Sequence, residues 1–123
     1  MIVANERQRL KTRLIVQKGV EFVALKFEDI AIFYTENTIV YVIDKEERKY
    51  IANKRLNQLQ LELDGALFFR ANRQTIININ YIGSFRTCSR VKLAVYLSLP
   101  ALRDPVIISQ ENAAAFRKWI SEV

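Results

Sequence analysis

Short runs of β-branched and aromatic residues, most of them paired around a turn of one or two residues, constrain this chain more than any other feature. The three pairs are residues 13–18 with 20–27 around Gly19, 30–36 with 39–44 around Asn37 and Thr38, and 82–88 with 90–98 around Ser89. Runs of this length bounded by turn residues are typical of antiparallel hairpins. Shorter apolar runs at 49–52, 67–70, 75–78 and 106–108 predict further strands.

Helical signals occur in only two places. Residues 54–63 follow Asn53, a predicted N-cap, and precede Gly65, which we expect in a left-handed conformation. Its predicted inner face carries Leu56, Leu59 and Leu63, whereas Leu61 lies off that face. The second helix begins after Ser109, a predicted N-cap, and its predicted inner face is Ala113, Phe116, Trp119 and Ile120.

This order of elements excludes a parallel sheet, because strands and helices do not alternate as in βαβ units. We expect a mainly β domain with minor α content. It should consist of antiparallel sheets, one internal helix and one C-terminal helix.

The side-chain inventory argues against catalysis. Without histidine the chain excludes histidine acid–base chemistry, the serine triad and His-ligated zinc. The single Cys88 excludes an internal disulfide framework and fits a reducing compartment. The adjacent carboxylates Glu28-Asp29 and Glu46-Glu47 lie in predicted turns, where solvation explains them. We therefore expect no enzyme activity, no metal and no cofactor. Since no apolar run reaches membrane length, we expect a cytoplasmic location without a membrane partner.

Positive charge is concentrated in one part of the chain. The net charge is +6, and residues 65–103 hold six basic side chains and no carboxylate. They are Arg70, Arg73, Arg86, Arg90, Lys92 and Arg103. Such a stretch projects a potential that attracts polyanions such as nucleic acid. A basic protein can also contain such a stretch by chance, so charge alone does not decide.

Residues 68–75, with the sequence FFRANRQT, place a polar cluster between two apolar anchors. Arginine can bridge guanine O6 and N7, and asparagine or glutamine can bridge adenine N6 and N7. A surface loop with internal salt bridges explains the cluster equally well at this point.

The segment LFFRANRQTIININYI (67–82) resembles the hallmark of LytTR-type DNA-binding domains, the output modules of many bacterial two-component response regulators. Three further segments are similar to other parts of that family, in the same order: VALKFEDIAIFYTENTIVYVID (23–44), KYIANKRLNQLQLEL (49–63) and VIISQENAAAFRKWI (106–120). The resemblance covers residues 13–123. Residues 1–12 are interpreted as a linker or tail.

The resemblance implies an elongated arrangement of small antiparallel sheets that binds double-stranded DNA through loops entering successive major grooves. It implies base contacts from three regions, 35–38, 72–73 and 109–112, and within them we expect Arg73, Asn72, Gln110, Asn37 and Thr38 to contact bases. From the basic stretch and its polar cluster, together with the predicted helix start, we expect phosphate contacts from Arg70, Gln74, Arg86, Arg90, Lys92 and Ser109. The resemblance also implies a receiver domain, so we expect a fragment of a longer regulator or a stand-alone module, and a dimer on repeated DNA sites.

The alternative is a small β-rich module that binds protein or single-stranded RNA. Single-strand binders stack bases on exposed aromatic rings. Most aromatic residues here fall at predicted inward positions, although Tyr34, Tyr41 and Tyr81 are not assigned by their spacing.

Overall fold

The computed structural model describes residues 11–122, which form ten strands and two α-helices. The strands are β1 Arg13–Lys18, β2 Glu21–Lys26, β3 Ile30–Glu36, β4 Ile39–Asp44, β5 Lys49–Ala52, β6 Phe68–Asn72, β7 Thr75–Asn78, β8 Ile82–Cys88, β9 Lys92–Leu97 and β10 Val106–Ile108. The helices are α1 Leu56–Glu62 and α2 Gln110–Glu122, and 3-10 turns span Phe27–Asp29 and Ile79–Tyr81. Most of the predicted linker at 1–12 lies outside the described residues.

Two antiparallel sheets organise these strands. The seven-stranded sheet has the order β2-β1-β5-β4-β3-β7-β6, and the three-stranded sheet has the order β10-β9-β8. The mainly β fold class, with its antiparallel sheets and its internal and C-terminal helices, is therefore confirmed.

The central strands of the larger sheet are buried on both faces. Neighbouring residues such as Ile76 and Ile77 point alternately into two separate cores. The first core also contains Leu56 and Leu59 of α1. The second contains Phe116 of α2 and apolar residues of the three-stranded sheet. Burial on both faces explains why these strands are continuous apolar runs without polar alternation.

The β3–β4 connection is a two-residue turn with both residues in the left-handed region. Asn37 has φ 52° and Thr38 has φ 67°, which is the pattern of a type I′ hairpin turn. A β-branched residue such as Thr38 is strained there, because its Cβ crowds the backbone. The turn therefore holds both side chains outward at one end of the sheet, at some cost in local conformation.

Two predicted helix signals are wrong. α1 begins after Arg55 rather than Asn53, and the Asn53 amide instead donates to the Gln17 side chain of β1 at 3.3 Å. Gly65 is not in the left-handed region. The helix ends at Leu63 in an extended conformation, and the Asp64 carboxylate accepts the Ala66 N–H at 2.9 Å. An aspartate turn therefore takes the place of the predicted glycine cap.

A buried carboxylate fixes the β4–β5 turn. Asp44 is 1% exposed, and its Oδ1 accepts the backbone N–H groups of Glu46 and Arg48, both at 2.9 Å. Its Oδ2 accepts Arg48 Nε at 3.0 Å and the Tyr50 hydroxyl at 2.8 Å. Burial raises the pKa of Asp44, but these hydrogen bonds outweigh burial and hold the pKa below its ordinary value of 3.8.

Asp44→Asn is expected to lower the free energy of unfolding by about 1–3 kcal/mol at neutral pH, because the new amide faces two donors. A lowered native pKa means that the carboxylate stabilises the fold above its unfolded-state pKa and ceases to do so as pH falls through the native pKa. Urea unfolding should therefore show a smaller difference from wild type at about pH 2 than at neutral pH.

The matched control for this prediction is Glu46→Gln, which changes a carboxylate that is 59% exposed and also pairs with Arg48. We expect a change of less than about 0.5 kcal/mol for that variant. An Asp44→Asn difference of the same size at both pH values would contradict the assignment.

Candidate nucleic-acid interface

The β6–β7 turn, Asn72–Gln74, presents an unpaired cation. Arg73 is exposed, and no carboxylate of the described residues lies within 4.0 Å of its guanidinium. Gln74 is also exposed, whereas Thr75 immediately after it is buried in the sheet. The turn therefore carries two outward side chains with donor groups on a rigid base.

The side chain of Arg70 fixes the backbone of this turn by hydrogen bonds. Its Nε donates to the carbonyl oxygen of Asn72 at 2.7 Å, and its Nη2 donates to the carbonyl oxygen of Arg73 at 2.6 Å. Its Nη1 donates to the side-chain oxygens of Asn57 and Gln60 on α1, at 3.0 and 2.9 Å. All four acceptors are neutral, so among residues 11–122 no carboxylate compensates the positive charge, and burial lowers the pKa of Arg70.

The same turn is tied to the start of α2. The Asn72 amide donates to the carbonyl of Ile107 at 2.7 Å, and its oxygen accepts the Gln74 N–H at 2.8 Å. Ser109 N–H donates to the carbonyl of Ala71 at 3.3 Å, and Asn112 Nδ2 reaches the same carbonyl at 3.4 Å. The β6–β7 turn and the start of α2 are therefore joined into one hydrogen-bonded unit.

The β3–β4 turn joins this unit through the sheet. Thr35 N–H donates to the carbonyl of Gln74 at 2.9 Å, so Asn37 and Thr38 lie at the same end of the sheet as Arg73. Thr38 also lines a concavity shared with Lys54 and Arg55 at the start of α1. The three regions for which the resemblance implies base contacts are far apart in the sequence, and these hydrogen bonds join them.

An open concavity of about 740 Å³ lies between α1, the β6–β7 turn and the start of α2, and we call it the turn concavity. Amide, hydroxyl and guanidinium groups dominate its lining, with Glu111 as its one carboxylate. The lining residues are Asn57, Gln60, Arg70, Asn72, Arg73, Gln74, Ser109, Glu111 and Asn112. Such a lining can exchange hydrogen bonds with the edges of bases and with phosphate oxygens.

The remaining predicted cations lie on the three-stranded sheet. Arg90 and Lys92 line a second concavity together with Gln110. The Arg86 guanidinium lies 5.3 Å from the centre of the Tyr96 ring. Gln110 does not line the turn concavity, so the start of α2 faces the turn concavity on one side and this second concavity on the other.

Salt bridges do not neutralise the basic stretch. Those found in the described residues join Lys45 to Asp29, Arg48 to Asp44 and Glu46, and Lys54 to Glu62. All of these residues lie between 21 and 64. The interpretation of the 68–75 cluster as a loop with internal salt bridges therefore finds no support.

Sequence reasoning missed the contribution of α1. Asn57 and Gln60 lie three residues apart, beside the buried Leu56 and Leu59, and accept hydrogen bonds from Arg70. The i, i+3 spacing of the two amides on the polar face was the available signal. Asn112 lies in the region 109–112 that the resemblance implied, but its contact with the β6 backbone was not predicted.

The aromatic side chains do not form a stacking surface. The rings of Tyr34 and Tyr41 pack together with their centres 5.4 Å apart, and Lys49 Nζ lies 4.2 Å from the Tyr41 ring centre. The Tyr81 hydroxyl donates to the Glu28 carbonyl at 3.1 Å. Among the aromatic residues within 11–122 only Phe22 is exposed, and it lies on β2, at the sheet edge opposite β6.

A β-rich domain that gathers cationic and amide-bearing turns at one end of a sheet has the character of a loop-based nucleic-acid binder. The model of the LytTr DNA-binding domain family matches residues 21–121, and the chain belongs to this family. The family is one of DNA-binding domains, which agrees with the resemblance seen in the sequence.

A solved structure supports the same fold. The LytTr DNA-binding domain of a response regulator from Bacillus cereus superposes with a TM-score of 0.80 at 20% sequence identity, covering 89% of this chain and 97% of that one. A search among proteins of curated function finds no match. In residues 11–122 no helix has the length and apolar character needed to span a membrane. The same residues contain no cluster of three side chains suited to hold a metal ion.

Proposed function

We propose that this domain binds double-stranded DNA sequence-specifically, with the β6–β7 turn, the β3–β4 turn and the start of α2 entering major grooves. The observation that carries the proposal is Arg73 itself. Its side chain is exposed, no carboxylate of residues 11–122 lies within 4.0 Å of it, and Arg70 and Asn72 fix its turn by hydrogen bonds at both ends. An exposed guanidinium on a preorganised turn is suited to bridge guanine O6 and N7.

We assign base contacts to Arg73, Gln110, Asn37 and Thr38. The Asn72 amide already makes two hydrogen bonds within the protein, which support a role in positioning the turn rather than in contacting a base. Gln74, Arg86, Arg90, Lys92 and Ser109 remain proposed phosphate contacts. The four neutral acceptors around Arg70 favour a positioning role for that residue as well.

We further propose that the domain is the output module of a bacterial two-component response regulator that works in the cytoplasm. The matched Bacillus cereus domain comes from a response regulator. A receiver domain, in the same longer chain or as a partner, would control it. Dimerisation on repeated DNA sites follows from the same proposal.

The test is a gel-shift comparison of duplex DNA with single-stranded RNA, after bound duplexes have been selected from a random pool. We expect enrichment of one duplex motif, with weaker binding to random duplex and to single-stranded RNA. Equal retention of all duplexes, or tighter binding to single-stranded RNA, would overturn the proposal. The second result would favour the alternative module, which the packed Tyr34 and Tyr41 rings argue against.

Arg70→Lys separates a positioning role from a phosphate contact. Lysine keeps the charge but cannot reproduce the planar fork that reaches four acceptors. We expect the ratio of selected-duplex to random-duplex affinity to fall about tenfold, because the turn is released while the charge is kept. Fluorescence anisotropy with both duplexes measures this affinity ratio, and Arg86→Lys is the control. An unchanged ratio would show that Arg70 acts only as a charge.

A further inference from the structure

A second concavity, of about 410 Å³, lies between the β8–β9 hairpin and the side of α2 that carries Gln110, Ala114 and Arg117. Three cations line it: Arg90 and Lys92 from the hairpin side and Arg117 from the helix. Thr87 and Gln110 add polar groups, and no carboxylate is among the lining residues. We call this feature the cationic cup.

Helix geometry explains why Arg117 belongs to the cup. Gln110, Ala114 and Arg117 are spaced at i, i+4 and i+7, so they share one face of α2. The small side chains of Ala113 and Ala114 leave space between the helix and the hairpin. Phe116, on the inner side, is fully buried and fixes the rotation of the helix.

Among residues 11–122, no salt bridge neutralises the charges of the cup. No carboxylate of the described residues lies within 4.0 Å of the Arg90, Lys92 or Arg117 side chains. Three like charges around one depression repel each other unless an anion lies between them. The cup is therefore suited to an anion with several oxygen acceptors, and arginine pairs with phosphate oxygens in a bidentate manner.

The position of the cup indicates where that anion comes from. Gln110 lines the cup, whereas Ser109, Glu111 and Asn112 line the turn concavity. The start of α2 thus borders both concavities, which places the cup beside the turns proposed to contact bases. We propose that the cationic cup binds phosphates of the DNA backbone beside the base-contacting turns, with Arg117 as a phosphate ligand. This proposal rests on the proposed function of duplex DNA binding.

The test compares Arg117→Ala with Lys118→Ala in the 123-residue chain. Lys118 is an exposed cation on the same helix, turned about 100° away, and it does not line the cup. Anisotropy titrations on the selected and a random duplex, at several salt concentrations, measure affinity and salt slope. Arg117→Ala should reduce the slope by about 0.9 and weaken both duplexes by a similar factor, about eightfold at 0.1 M salt. Lys118→Ala should change each affinity less than about twofold.

Arg117→Lys keeps the charge and should restore most of the slope. Equal slopes for wild type, Arg117→Ala and Lys118→Ala would overturn the cup while leaving the proposed function intact. A loss confined to binding of anionic phospholipid vesicles would also overturn it and identify a membrane ligand. Failure of the wild-type chain to bind any duplex would instead contradict the proposed function itself.

Discussion

Phe116→Ala is expected to lower the free energy of unfolding by about 3–5 kcal/mol, the usual loss for a large aromatic residue in a core. Phe116 is fully buried, and its ring lies 5.4 Å from Phe69 of β6 and 5.1 Å from Phe85 of β8. It therefore joins α2 to both sheets. Alanine would leave a cavity where the helix, the larger sheet and the smaller sheet meet.

Urea unfolding followed by tryptophan fluorescence measures this loss, because Trp119 packs 5.8 Å from the Phe116 ring. Leu61→Ala is the matched control, since Leu61 is 88% exposed and should change stability by less than about 0.5 kcal/mol. We also expect weaker DNA binding from Phe116→Ala, because the start of α2 lines both concavities. A loss below about 1 kcal/mol would show that α2 does not depend on this core.

Arg73→Ala is expected to weaken binding to the selected duplex by about 1–3 kcal/mol and to relax the preference at one base pair. The reason is the loss of a bidentate contact from a turn that needs no rearrangement to make it. Because Arg73 is exposed and has no described carboxylate partner, its removal should leave the free energy of unfolding nearly unchanged.

The matched control is Arg103→Ala, which removes an exposed cation of the same basic stretch that does not line the turn concavity. We expect that variant to retain the preference at every base pair. A repeat selection with each variant measures the change in motif. An Arg73→Ala variant with wild-type affinity and an unchanged motif would remove Arg73 from base contact.

The hairpins could be predicted because their information is local. The β3–β4 pair has the predicted bounds, 30–36 and 39–44, since two turn residues fix where both strands end. The same holds for the predicted 49–52, 75–78 and 106–108 strands. The face of α1 also follows from spacing, with Leu56 and Leu59 buried and Leu61 exposed.

The helix ends and the support of the site depend on distant contacts and could not be predicted. Asn53 is engaged by Gln17, 36 residues earlier in the chain, so its capping propensity is overridden. Arg70 was predicted to contact phosphate because the sequence around it does not indicate that it contacts amide side chains of α1. Arg117 acquires its surroundings only once the β8–β9 hairpin lies beside α2.

Methylation interference on the selected duplex tests the central claim most directly, because guanine N7 lies in the major groove and adenine N3 in the minor groove. We predict that N7 methylation of one or more guanines blocks the wild-type chain, and that Arg73→Ala loses this interference at one of them. Interference restricted to adenine N3, or a pattern that Arg73→Ala leaves unchanged, would contradict the account of turns that contact bases in the major groove.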